Sequence, residues 1–558
     1  MSFFKIFRRL AAASAAACVL FLCTGCNIPM LEKDGDGSGY LFTTSLIGNP
    51  KSLDPQSATD ASSKTIIRNL YEGLLEMDDT GTPQLAAASS YTVSPDGLIY
   101  TFLLRKDRYW FYDKNGNDTV DDGETWLVTA SDYAYAFQRI FDPQTQSPYA
   151  ETFSCLHNAE AVRNGTLAPS EIGVRAVSDD QLQFTLDQPN AQFLAMLTTT
   201  AAMPCNEEFF LQTKGSYGLE QNAVASCGAF YMRLWFYDPY GSDNLIYMRQ
   251  NAANAEARRT YPTNLTFHIR NGQQALDEDF SSGESDVLLT SVYPAAYVDS
   301  KDYTVTSERD TTLGLIFNPD EKEYANDAIR TALSMGIDRS KIGLTSNGDL
   351  LSASAIVPPT VYCNGTSYRD AVPETDLTPA YDEPAAIAML QKGMQQLGIA
   401  SLNSTKILTC ASLMDCDHLH DIIQNWQEIF GFYIGIDEVT ESEYWDKIEN
   451  KNYTIAVYGV TGTEASPDAV LAQFATDCNR FRYSSAKVDQ LLSSLRSCAD
   501  TATFFQLCRT AEQTILDEAQ FLPIFYKNQY LVTQTSNTDL HYDAFSGAID
   551  FRNAKHFE

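Results

Sequence analysis

From Leu41 to the end of the 558-residue chain, strand-like and helix-like patterns alternate without an internal repeat or a low-complexity block. This constrains the fold more than any other feature, because such a pattern builds large interwoven lobes rather than a string of small modules. Tyr100, Phe102 and Leu104 fall on one side of a strand, and Leu182, Phe184 and Leu186 repeat the alternation. Ser131 is placed to cap a helix whose Tyr133, Ala136, Phe137 and Ile140 share a face. Ile329, Ala332, Leu333 and Gly336 give the same spacing after Asp327. Asp382, with Pro384 in the first turn, opens a helix carrying Ile387, Leu390, Met394 and Leu397, and Gly398 closes it. The fold class is mixed α/β, and at about 150 residues per domain the length allows two to four domains.

Acidic residues outnumber basic ones by 72 to 39, a formal charge of −33. That surplus repels phosphate backbones and anionic lipid faces, so nucleic acid is excluded as a general partner, and it suits solubility outside the cell. With 44% hydrophobic and 20% charged residues, the chain is too apolar to be mainly disordered.

Lys5, Arg8 and Arg9 precede an apolar run from Ala11 to Leu22, and Cys23-Thr24-Gly25-Cys26 follows at once. As a helix that run covers about 18 Å, short of a bilayer core of about 30 Å, so residues 1–25 read as a signal peptide. Thr24 and Gly25 before Cys26 resemble the bacterial lipoprotein box, in which the cysteine is lipidated and becomes the first mature residue. Cys23 stands where that box has an aliphatic residue, and ordinary secretion with Cys26 free is the alternative. Residues 26–40 are polar and glycine-rich and read as a tether that holds the folded part at the outer face of the cell membrane. No later stretch reaches about 18 apolar residues, so no second anchor is expected. Nine cysteines lie beyond Cys26, an odd number at scattered spacings, and their pairing stays open.

Asp113, Asn115, Asn117, Asp121 and Glu124 occupy positions 1, 3, 5, 9 and 12 of an EF-hand-like loop, with Asp118 where the turn glycine belongs. This is either a solvated acidic loop or a structural Ca²⁺ site. Cys410, Cys416, His418 and His420 are metal-ligating residue types, but the run continues into a helix carrying Ile422, Ile423 and Trp426, where entry and core positions are the plainer reading. The five tryptophans are candidates for a cleft lining or for the core. There is no Gly-x-Ser-x-Gly elbow, no His-Glu-x-x-His and no phosphate loop, and six histidines offer few general bases.

A series of short motifs runs in order along most of the chain. Ser52-Leu53-Asp54-Pro55 is followed by Asn69-Leu70-Tyr71-Glu72-Gly73-Leu74, Pro83-Gln84-Leu85-Ala86, Ser94-Pro95-Asp96-Gly97 and Val128-Thr129-Ala130-Ser131-Asp132. Gly173-Val174-Arg175-Ala176-Val177, Gly228-Ala229-Phe230-Tyr231 and Ser282-Gly283-Glu284 come next. Leu313 to Asn318, Ala328-Ile329-Arg330-Thr331-Ala332-Leu333, Ile337-Asp338-Arg339 and Leu522-Pro523-Ile524-Phe525-Tyr526 close the series. In this order they resemble the extracellular solute-binding proteins of the oligopeptide, dipeptide and nickel class (family 5), the receptors of ATP-binding-cassette (ABC) importers.

The resemblance implies a two-lobed, periplasmic-binding-protein-like clamshell, with lobe I at 41–298 plus 521–558, a subdomain at about 61–171, and lobe II at 299–520. It implies a non-enzymatic receptor that closes on an oligopeptide-like solute and delivers it to an ABC permease complex. The expected state is a monomer, and no cofactor is required beyond Ca²⁺ at the 113–124 loop. Ligand contacts are expected at Cys227, Gly228, Phe230, Phe317, Asn318, Tyr458, Val460, Thr461, Thr463 and Glu464. In peptide-binding relatives a buried acid, three residues after a Gly-Trp pair, meets the peptide's amino terminus. Here Val460 stands in place of the tryptophan and Thr463 in place of the acid; Glu464, one residue later, could replace it, but one step along an extended chain reverses the side-chain direction. The amine anchor is therefore expected to be lost, favouring a ligand without an amino terminus or a peptide held differently. A ligand-presenting co-receptor, a nickel receptor of the same family and a secreted enzyme on the same scaffold are the alternatives.

Overall fold

Two strands much longer than their neighbours organise the molecule. The computed structural model describes residues 40–254, 260–342, 350–375, 377–402, 405–414 and 416–556, so the signal peptide, Cys26 and nearly all of the tether lie outside the described residues. We label the strands of the main sheet β1 (Tyr40–Ile47), β2 (Phe230–Phe236), β3 (Leu245–Gln250), β4 (Pro262–Arg270), β5 (Val287–Thr290), β6 (Tyr303–Phe317), β7 (Leu350–Ser352), β8 (Thr405–Thr409), β9 (Ile434–Glu438), β10 (Ile455–Thr461) and β11 (Phe521–Gln534). Their order is β2-β3-β4-β1-β5-β11-β6-β10-β8-β9, with β7 on β11.

β6 and β11 are antiparallel partners along nearly their whole length. The end of β11 also pairs with β5, and the second half of β6, from Thr311 to Phe317, pairs with β10. One sheet therefore runs through both lobes, and the register slips between Glu308 and Thr311, where the ladder passes from one lobe to the other. A slip of this kind bends and twists the strands without breaking the sheet.

Alternation decides how the second lobe fills. On β10, Ala456, Tyr458 and Val460 point into a core that includes Phe474 and Phe505, while Ile455 and Val457 point into another around Leu333 and Trp426. Both faces are covered, which is why this strand reads as a continuous apolar run. The first lobe has its own core around Ile67, Tyr133, Phe184 and Phe267. Part of it is a four-stranded antiparallel sheet of Ala88–Val93, Ile99–Leu104, Gln181–Thr185 and Val174–Ser178, whose Phe102, Leu182 and Phe184 are fully buried.

Helix α1 (Ala61–Leu70) starts at Asp60, whose carboxylate accepts from Ser63 N at 2.9 Å. Helix α2 (Ala130–Phe141) begins one residue before the Ser131 cap expected from the pattern. Its N-cap is Thr129, because the Asp132 carboxylate bonds back to Thr129 N at 2.8 Å. Asp382 caps its helix through Ala385 N at 3.0 Å, and Gly398 ends it at φ 69°.

The conserved-type motifs quoted above turn out to be internal fasteners. Asp54 of the Ser-Leu-Asp-Pro turn meets Arg139 of α2 in a buried bidentate pair, whose guanidinium also lies 4.1 Å above the Phe210 ring. Glu72 accepts from Arg108 Nε at 2.7 Å. Arg330 donates to the carbonyls of Tyr324, Glu518 and Ala519, and Arg339 to those of Ala353 and Pro523. Glu512 of helix α3 (Thr501–Asp517) has no exposed side-chain surface; it accepts from Ile356 N at 2.8 Å, Val357 N at 2.9 Å, the Tyr368 hydroxyl at 3.2 Å and the Arg369 guanidinium. Removing one member of such a set leaves the other charge buried. Glu512→Gln should therefore cost about 3–5 kcal/mol of stability, read as a lower urea midpoint with an unchanged slope.

Candidate functional site

A cavity of about 400 Å³ lies between the lobes, beside the β6–β11 crossing. Its floor includes Thr306 and Glu308 of β6 and Leu531 of β11. Lobe I supplies Lys64 and Arg68 of α1, the tip of the Leu75–Leu85 hairpin and the threonines at 198–200. Lobe II supplies Thr360, Tyr362 and the loop from Thr463 to Ser466, and the segment 540–546 closes one side. The volume falls within the range of about 300–1,000 Å³ usual for small-ligand sites.

The lobes also meet at the rim. Ala191 N donates to Cys498 O at 2.8 Å, Asn364 Nδ2 to Ala191 O at 3.1 Å and Gly365 N to Gly81 O at 3.1 Å. Arg496 pairs with Glu151, which also holds Arg163. These contacts bridge the two lobes beside the chamber.

Most charges around the chamber are spent on one another. Arg552 clasps Asp550 at 2.6 and 2.7 Å and reaches Glu76 at 2.7 Å. Burial works against the Asp550 charge, but Arg552 outweighs it and holds the carboxyl at about 2. Asp78 accepts from Thr80, Thr82 and Gln84, and Asp79 meets His541 at 2.8 Å. Asp543 accepts from the Ser546 hydroxyl at 2.6 Å and from two backbone N–H groups.

Glu464 differs from these acids. Among the described residues no hydrogen bond or ion pair engages its carboxyl, and burial in the chamber, then the like charges of Asp468 and Asp543, push it up to about 8. Its position corrects the expectation drawn from an extended chain. β10 ends at Thr461, and the chain then turns so tightly that a Cβ on Gly462 would lie 2.7 Å from Glu464 O. Strand alternation no longer applies there, and Thr463 and Glu464 both line the chamber.

The other expected contact residues lie elsewhere. Cys227 N and Gly228 N donate to Leu70 O at 3.1 and 2.8 Å, and a Cβ on Gly228 would fall 2.8 Å from that carbonyl, so the glycine serves the packing of this turn on α1. Phe230 is fully buried in the lobe I core. Phe317 stacks on Tyr324, and Asn318 donates to Lys451 O and Tyr453 O, bracing a loop. Tyr458 packs edge-on against Phe481 and Val460 is fully buried, both in the lobe II core, while Thr461 is exposed at the strand end. None of the five tryptophans lines the chamber.

The 113–124 loop closes on itself. Asp113 accepts from the N–H groups of Gly116, Asn117 and Asp118, and Glu124 from those of Lys114, Asn115 and Asp121. Asn115 and Asn117 donate to Asp121 at 2.7 and 2.8 Å. Asp118 adopts the positive φ, 62°, that glycine takes in such loops, and Arg233, Arg249 and Tyr231 hold its carboxylate. Cys410 is buried beside Ser412, and His418 packs edge-on against Phe525. Among the described residues no group of three or more His, Cys, Asp or Glu side chains is arranged to hold a metal ion. Cys155, Cys205, Cys363, Cys410, Cys478, Cys498 and Cys508 are free thiols.

Lys64, Arg68 and the 540–546 segment were not singled out from the sequence. Lys64 and Arg68 are four apart on a helix whose other face carries Ile66, Ile67 and Leu70, a pattern identical to that of an ordinary solvated face.

A family model described as bacterial extracellular solute-binding proteins, family 5 Middle, matches residues 82–481, well over half of the chain. The oligopeptide-binding protein OppA of Bacillus subtilis (strain 168) is 26% identical over 541 residues, covering 94% of each chain. The dipeptide-binding protein DppE of the same organism is 25% identical over 498 residues, covering 86% of this chain and 85% of its own. Listeria monocytogenes OppA bound to peptide superposes with a TM-score of 0.71 at 21% identity, over 94% of this chain and 100% of that one, and shares the two-lobed fold. With its motifs in order, its lobes on one sheet and a chamber between them, the chain belongs to the bacterial extracellular solute-binding proteins, family 5.

Proposed function

We propose that this chain is the receptor of an ABC importer, anchored at the outer face of the membrane through lipidated Cys26, and that it closes on a peptide whose amino terminus is neutralised by Glu464. The family consists of binding proteins rather than enzymes, and relatives of similar length are named for oligopeptide and dipeptide binding. The observation that carries the ligand reading is a carboxyl with no hydrogen-bond or ion-pair partner among the described residues, lining the chamber between the lobes. An ammonium brought by the ligand gives that carboxyl the partner it lacks and recovers the desolvation cost of both charges. Peptide main chain can meet the threonine and backbone groups of the walls without reading sequence. Among the described residues no helix is long and apolar enough to cross a membrane.

Three outcomes test this. Glu464 is protonated in the empty chamber up to about pH 8, whereas a peptide amine is charged below about 7.7–8.0, so binding expels one proton. Affinity for free-amine peptides should rise up to about tenfold per unit between pH 6 and 7.5, by calorimetry, and Glu464→Gln should bind more weakly with a flat profile. A flat wild-type profile would refute the amine anchor.

The same shift acts on the empty protein with the opposite sign. The unfolded chain loses this proton above its ordinary value of about 4.3, while the native state keeps it up to about 8, so stability falls as pH rises through that window. Glu464→Gln has no such proton and should melt higher, by a margin that grows from pH 4.5 to 8 and vanishes below it. Finally, Cys26→Ser should release the protein from the membrane fraction and, like deletion of the gene, abolish peptide uptake by cells.

A further inference from the structure

The chamber holds a second set of unspent charges, of opposite sign and on the opposite lobe. Lys64 and Arg68 lie one turn apart on α1 and both face the cavity. Arg68 donates Nη1 to Thr198 O at 3.1 Å, which fixes the plane of the guanidinium and leaves its other N–H groups for a ligand. No hydrogen bond or ion pair to a described residue engages the Lys64 ammonium. Of the acids nearest to these cations, Asp60 caps α1 through Ser63 and Asp550 is held by Arg552; Asp543 takes hydrogen bonds only from the neutral Ser546 hydroxyl and backbone N–H groups, and its charge attracts both cations without a direct ion pair.

Resting on the peptide reading above, we propose that Lys64 and Arg68 form an anchor for the ligand's carboxylate, so that the cargo is a short peptide with both termini free. An ammonium and a guanidinium presented from one helix face match the two oxygens of a terminal carboxylate, the guanidinium in a fork and the ammonium as a point charge. Burial lowers the affinity of both cations for their protons, Asp543 opposing it in each case. With Glu464 on lobe II and the cation pair on lobe I, a zwitterion spans the cleft with its dipole set across the two lobes. Each terminus then pulls on a different lobe, and closure becomes conditional on the cargo carrying both. A peptide continuing past the chamber has no carboxylate at this point and leaves the cations unpaired. Chamber size and charge placement thus select against long chains by the same device.

The test uses the mature protein and three matched tripeptide mixtures: free at both ends, amidated at the carboxyl end, and acetylated at the amino end. Calorimetric or competition binding should favour the free acids over the amides by about tenfold or more, the worth of one or two charge-assisted hydrogen bonds. Lys64→Met, which breaks no internal bond to a described residue and removes a charge that burial disfavours, should melt no lower than the wild type, weaken the free acids by about tenfold and leave the amides as they were. Equal binding of acids and amides to the wild type, or an equal loss of both in Lys64→Met, overturns the carboxylate anchor alone. If acetylated peptides bind as well as free ones while amides do not, the anchor stands and the Glu464 reading falls. If none of the mixtures binds, the peptide reading falls and the anchor with it.

Discussion

The pairing of β6 with β11 is the constraint on which the rest of the structure depends. Their ladder runs from Tyr303 opposite Gln534 to Ile316 opposite Phe521, carrying the sheet out of one lobe and into the other. Each lobe is filled by its own core, so neither needs the other to bury its apolar surface. What joins them is mainly backbone hydrogen bonding through a slipped register, a joint that resists sliding but tolerates bending. Rim contacts such as Ala191 with Cys498 and Glu151 with Arg496 are few and polar, the kind of contact that can open.

Charge follows the same division of labour. Pairs that hold each lobe together, Asp54 with Arg139, Glu72 with Arg108 and Glu512 with Arg369, are buried and joined by direct ion pairs. They are costly to break and of little use for recognition, because a ligand can offer them nothing they lack. In the chamber, Asp550 and Arg552 are likewise satisfied, whereas Glu464, Glu308 on the floor and the two cations of α1 have no such close partner among the described residues. The proposed recognition rests on these charges.

Much of the fold was legible in the sequence, and the reason is visible in the elements. Phe102 and Leu104, Leu182 and Phe184, and the cap at Asp382 with Gly398 obey local rules that tertiary packing only reinforces. Helix α2 starts at Ala130 rather than at Asp132 because Asp132 bonds backwards to Thr129, a choice between neighbouring caps too small for the pattern to resolve. The site was far less legible. Phe230, Tyr458 and Val460 were expected as ligand contacts from the motif resemblance, yet packing sends them into the lobe cores. Glu464 looked misdirected only because the turn at Gly462 could not be seen in the pattern.

The periodicities and the caps by themselves determined a mixed α/β chain, because each is a local property of neighbouring residues and survives in any environment, and the order of motifs, through its resemblance to a known family, implied the two lobes. Which side chains face the chamber was decided by the tertiary structure alone. Lys64 and Arg68 are some 400 residues before Glu464 in the chain, and nothing between them in the sequence says that they share one enclosed space. Whether a charge is spent or available depends on who stands beside it after folding, and that is a property of the assembled lobes, not of any segment.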